Sequence, residues 1–161
     1  DTDFNEALAP VVGRAGTRRW LKAQGRWKEL ARYEKEILVE QAFVEEVLKT
    51  RQELQAIYNQ PQGSEETQRR DKQKAFQNLK QRLQAMNRRH GGSLKIDRWF
   101  EKPVDNARLN TLATYYDLVP DFEAVLTECR GDIPQFLRRM EELKPLTQAE
   151  RRARIHLRPA P

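Results

Sequence analysis

The stretch Phe4-Asn5-Glu6-Ala7-Leu8-Ala9 sets a carboxylate in a helical pattern with a small residue one turn on. In a catalytic zinc site three protein side chains hold the metal and water takes the open position. A glutamate on a helix can be the third of those ligands when its helix packs closely on one bearing two histidines. Ala9 stands at i+3 from Glu6, on the same face, and a small side chain there permits the close approach. The spacing Asn5-Glu6-x-x-Ala9 is short, however. Read alone, Glu6 is also an ordinary first-turn acid favoured by the helix dipole.

The other metal-binding residue types are scarce. His90 and His156 are the two histidines and Cys129 is the single cysteine. They exclude a three-histidine site, an HExxH motif, a Cys-based zinc site and an internal disulfide within this sequence. His90, beside Gly91 and Gly92, reads as a loop residue, and His156 as an exposed member of a basic tail.

Length and composition bound the scaffold that would position these groups. The 161 residues are enough for a real core, with 38% hydrophobic and 34% charged residues and only 7 Gly and 8 Pro. That balance predicts a helix-rich, strongly solvated protein. No apolar run approaches the roughly 20 residues of a bilayer span, so no transmembrane segment is expected. The net charge of +6 arises from 30 basic and 24 acidic residues, largely interleaved. Scattered arginines among glutamates, with few aromatics on the basic faces, argue against a dedicated nucleic-acid surface.

Periodicity predicts an all-α fold, as one region over residues 1–161 that ends in a basic tail over 147–161. A first helix spans roughly residues 2–23 and is weakened by Pro10, Gly13 and Gly16. From about residue 26 to 58 apolar residues recur at threes and fours without an intervening Gly or Pro, the pattern of a long projecting helix. A turn at 59–66, with Pro61 and Gly63 as breakers and Ser64 as N-cap, leads into a second helix over about 64–88. These two form a long antiparallel hairpin whose apolar stripes must meet, because each stripe alone is too narrow to be stable in water. The block Ile96–Phe100 and a cluster of C-terminal helices follow. Pro120 starts one of these and Gly131 closes it, and Asp132 caps the next, which points Phe136, Leu137, Met140 and Leu143 inward. Thr147 to Glu150 is a capping box for a last basic helix.

Three ordered blocks carry a resemblance: "DTDFNEALAPVVGRAGTRRWL", then Gly91-Gly92 followed by "IDRWF", then "NARLNTLATYYDLVPDFEAVL". Together they resemble the C-terminal portion of a bacterial family of putative zinc aminopeptidases of the gluzincin type. The resemblance implies zinc as cofactor, a peptide as substrate, and an HExxH helix in a missing N-terminal part of the same protein. That helix would supply two histidine ligands and a glutamate general base. Glu6 would be the third ligand and Asn5 its neighbour around the metal. Related enzymes use a Tyr or His to stabilise the oxyanion, which makes Tyr115 the catalytic candidate and Tyr116 the second. Tyrosines at this spacing are also ordinary core residues of an amphipathic helix. Asn106 would orient substrate, although asparagine opening a helix is also a common cap. Relatives of this kind suggest a bacterial cell-envelope location, periplasmic or lipid-anchored.

Two positions depart from the family pattern. Pro10 stands where a small polar residue is usual, and Asp105 where a second asparagine is more frequent. Without the HExxH segment the expectation is a chain that supplies the third ligand and part of the cleft, and is inactive alone. The alternative is a non-enzymatic helical binding or scaffolding module with a basic tail.

Overall fold

The computed structural model describes residues 2–59, 64–92 and 96–155. Eight helices run through them: α1 (Thr2–Ala23), α2 (Trp27–Tyr58), α3 (Glu65–Arg89), α4 (Ile96–Phe100), α5 (Asn106–Tyr116), α6 (Val119–Glu128), α7 (Ile133–Glu142) and α8 (Gln148–Ile155). No strand occurs among the described residues, so the fold is all-α. The chain forms two compact units, one of Asp1–Leu30 with Thr114–Pro161 and one of Ala31–Ala113. It passes between them within α2 and within α5.

The first unit is built on the contact of α1 with α6. Phe4, Ala7, Val11 and Ala15 recur at helical spacing on α1 and are buried against Phe122, Val125 and Leu126. Phe122 is fully buried at the centre. Its ring meets Phe4 edge-on at 4.9 Å and Phe136 of α7 at 6.5 Å. Arg14 falls on the same buried face of α1, and its guanidinium donates to the Glu123 carboxylate at 2.9 Å. Pairing of this kind is what allows a charged group inside a helix–helix contact.

Local chemistry ends and restarts the helices of this unit. Arg130 and Gly131 adopt positive φ after α6, and the Gly131 N–H donates back to the Leu126 carbonyl. Asp132 then caps α7 by accepting from the Gln135 N–H at 3.0 Å, with proline in the first turn. Phe136, Met140 and Leu143 point inward as expected, whereas Leu137 is exposed. Phe136 and Met140 are one turn apart, and a residue next to one of them is rotated about 100° away. The capping box at Thr147 is formed in both directions: Glu150 accepts from the Thr147 N–H at 2.8 Å, and the Glu150 N–H donates to the Thr147 hydroxyl at 3.3 Å. Arg151 donates to the carbonyls of Leu143, Lys144 and Leu146 and lies over the Phe4 ring, and Ile155 is buried. The described part of the basic C-terminal segment is therefore bound into this unit.

The second unit contains the hairpin. Val47 and Leu54 of α2 meet Ala75, Leu79 and Leu83 of α3, joined by Ile96 of α4 and Leu109 of α5. Arg82 reaches Glu46 at 2.7 Å and Thr50 at 2.7 Å, while Lys72 lies over the Tyr58 ring at 6.0 Å. Moving back along α2 thus moves forward along α3, which makes the pair antiparallel. Ser64 caps α3 by accepting from the Thr67 N–H. Pro61 and Gly63, the breakers expected between the two helices, lie outside the described residues. The block Ile96–Phe100 is a short helix whose Trp99 packs edge-on against Phe43 and Phe100.

Candidate functional site

Asn5 and Glu6 lie in the second turn of α1, Asn5 exposed and Glu6 half-buried. The buried stripe from Phe4 to Ala15 holds the helix on α6, and Glu6 is turned well away from the centre of that stripe. Its own side of the helix continues through Ala9, Pro10, Gly13 and Gly16. A Cβ added at Gly13 or Gly16 would meet nothing within 4 Å among the described residues. The carboxylate therefore heads a row of small residues that leaves the helix backbone approachable. α1 continues as a helix through Pro10. Proline has no N–H, so the carbonyl of Glu6 lacks its helical donor.

No group of three or more His, Cys, Asp or Glu side chains that could hold a metal ion occurs among the described residues. Cys129 is buried in the first unit's core and His90 follows α3 in the second unit. His156 lies outside the described residues. Among the described residues Glu6 is therefore not part of any such group.

The two tyrosines differ sharply. Tyr116 is half-buried against the core of the first unit, while Tyr115 is 41% exposed. Of the two, Tyr115 has the ring that a bound molecule can reach. Both belong to the first unit, as do Asn5 and Glu6.

Asn106 belongs to the second unit and lies in a different setting from the one its sequence position suggests. The cap of α5 is Asp105, whose carboxylate accepts from the Arg108 N–H at 2.9 Å. Asn106 is thereby left to face a pocket of about 320 Å³ between the end of α2 and the start of α5. Its Nδ2 donates to the Tyr58 hydroxyl at 3.1 Å, and its Oδ1 is buried without a hydrogen-bond partner among the described residues. Across the pocket Arg51 donates from Nε to Asn110 Oδ1 at 2.8 Å. Sequence reasoning missed Arg51, Tyr58 and Asn110, because 48 residues separate Tyr58 from Asn106 and 59 separate Arg51 from Asn110. The asparagines at one-turn spacing, Asn106 and Asn110, were the available signal.

A family model described as "Putative aminopeptidase" matches residues 1–155. The chain belongs to this family. The match runs through both compact units, so the Glu6 face of α1 and the Asn106 pocket both fall inside the aminopeptidase region. No curated protein and no solved structure matches the chain.

Proposed function

We propose that this chain is the C-terminal part of a zinc-dependent aminopeptidase of the gluzincin type, with Glu6 as the third metal ligand. The observation that carries the reading is the placement of Glu6 at the head of an approachable row of small residues, within a region matched to the aminopeptidase family. The row suits a second helix packed close to the backbone of α1, as a ligand set shared between two helices demands. The remaining ligands, two histidines, and the general base would come from an HExxH segment that this sequence does not contain. Zinc in such a site acidifies a bound water and polarises the peptide carbonyl.

This chain's own share of the chemistry is electrostatic and positional. The Glu6 carboxylate contributes negative charge and one donor atom, and Asn5 beside it offers an amide to orient what binds there. Tyr115 presents a hydroxyl that can donate to a developing oxyanion, while Tyr116 anchors the same helix in the core. Alone, the chain is expected to hold no zinc and hydrolyse no peptide.

The test is metal analysis of the protein that carries the HExxH segment, with and without Glu6→Gln. The expected result is one zinc per wild-type chain and loss of most of it in the variant. Full zinc occupancy in Glu6→Gln would overturn the ligand assignment.

A second reading, the non-enzymatic binding module, draws on a recess of about 490 Å³ in the first unit whose lining includes Arg18, Arg19, Lys22 and Arg130. Binding of an anionic partner there would be indifferent to Glu6→Gln and sensitive to charge reversal at Arg19 or Arg130.

A further inference from the structure

The pocket at Asn106 is built for a ligand of definable chemistry. Arg51 brings a guanidinium whose Nε is committed to Asn110. No carboxylate of the described residues lies within ion-pair distance of it, and no Asp or Glu lines the pocket. Among the described residues its terminal nitrogens make no hydrogen bond or ion pair, and they present a fork that matches a carboxylate. Tyr58 accepts from Asn106, which leaves the phenol proton to donate elsewhere. Asn110, accepting through Oδ1, keeps its NH₂ as a further donor. The wall is thus rich in donors and carries one positive charge.

Asn106 adds a second requirement. Its Oδ1 is buried and has no hydrogen-bond partner among the described residues, an unfavourable state that a ligand donor would relieve. Exchanging the two ends of the amide would let Tyr58 donate to Oδ1 and would strand Nδ2 instead, so one end lacks a partner in either orientation. A side-chain amide is the complement of a peptide unit, able to donate to its C=O and to accept from its N–H. The floor, Leu54 and Leu109, is almost wholly covered, so an apolar side chain would gain little here. At about 320 Å³ the pocket lies at the small end of ligand cavities and suits the end of a chain.

We propose that this pocket binds the free C-terminal carboxylate of a peptide, held by Arg51, Tyr58 and Asn110, with Asn106 pairing to the last peptide unit. The carboxylate follows from the donor set, and the peptide rests on the aminopeptidase reading. A site for the carboxyl end favours peptides whose C-terminus is free over internal segments of folded proteins.

The experiment is an NMR titration of the isotope-labelled chain with N-acetyl-alanyl-alanine, its C-terminal amide, and sodium acetate. The expected result is saturable shifts of the Asn106 and Asn110 side-chain amide signals with the acid, and binding about tenfold or more weaker for the amide and for acetate. Arg51→Gln should weaken the acid to the level of the amide, and thermal unfolding of this exposed-site variant verifies that it remains folded. Asn106→Asp, which puts a negative charge opposite the ligand, should weaken it further. Equal binding of acid and amide, or no effect of Arg51→Gln, would overturn the carboxylate site. Acetate binding as tightly as the peptide acid would overturn the peptide assignment. Absence of shifts with any probe up to about 10 mM would overturn the pocket as a ligand site. The readout needs neither zinc nor turnover, and Glu6→Gln should leave it unchanged, so this proposal and the zinc assignment fail separately.

Discussion

Replacing Gly13 and Gly16 together by alanine tests whether the Glu6 side of α1 is as open as it looks. Both glycines lie within α1, and neither has the positive φ that would require glycine. An added Cβ at either position meets nothing within 4 Å among the described residues. The only terms left are the backbone entropy lost by glycine on folding and the better helix propensity of alanine, about 0.5–1 kcal/mol per site. Two sites give about 1–2 kcal/mol, which at this chain length raises the unfolding temperature by about 2–8 °C. Urea unfolding followed by circular dichroism at 222 nm should show a higher midpoint with an unchanged slope. A lower or unaltered midpoint would refute the reasoning, because it would mean that something already occupies that face. In the protein carrying the HExxH segment the same pair should instead weaken zinc retention, since the added methyls would hold the partner helix away from Glu6.

Three further outcomes follow from the structure. Pro10→Ala restores an N–H for the Glu6 carbonyl, and after the more flexible unfolded chain is allowed for it should stabilise by about 2 kcal/mol, read from the urea midpoint. Phe122→Ala removes the ring at the centre of the first unit's core and should destabilise by about 3–5 kcal/mol in the same assay, with loss of a cooperative transition as the extreme case. The hydrogen bonds from the Thr147 side chain, then the Thr147 backbone, hold the Glu150 carboxyl below its ordinary 4.5. Because the folded value is the lower one, the stabilisation of α8 is present above pH 4.5 and is lost as the pH falls through the folded value. Titration of the Glu150 carboxyl carbon by NMR should give a midpoint below 4.5, and Thr147→Ala should bring it back up.

Much of the scaffold was legible because its signals are local. The helix over 26–58 was expected from apolar residues at threes and fours without a breaker, and it is found as Trp27–Tyr58. Ser64, Asp132 and the Thr147–Glu150 box bond to backbone three residues away, so sequence alone contains all the interacting parts. Adjacent residues were harder to separate. Tyr115 and Tyr116 differ by a rotation of about 100°, and only the position of the neighbouring core decides that Tyr116 packs inward. The same ambiguity misplaced Leu137, and the cap offered by Asn106 falls instead on Asp105, one residue earlier.

The sequence by itself determined the helical class, the hairpin, the caps of α3, α7 and α8, and the scarcity of histidine and cysteine. Tertiary structure alone decided which face of α1 is buried, and hence that Glu6 heads an approachable row rather than a core stripe. It alone also assembled the pocket of Arg51, Tyr58, Asn106 and Asn110. Helical periodicity and capping act over three or four residues and are written in adjacent letters. Hydrogen bonds that close over 48 and 59 residues depend on how two helices come to lie side by side, and no local spacing encodes that.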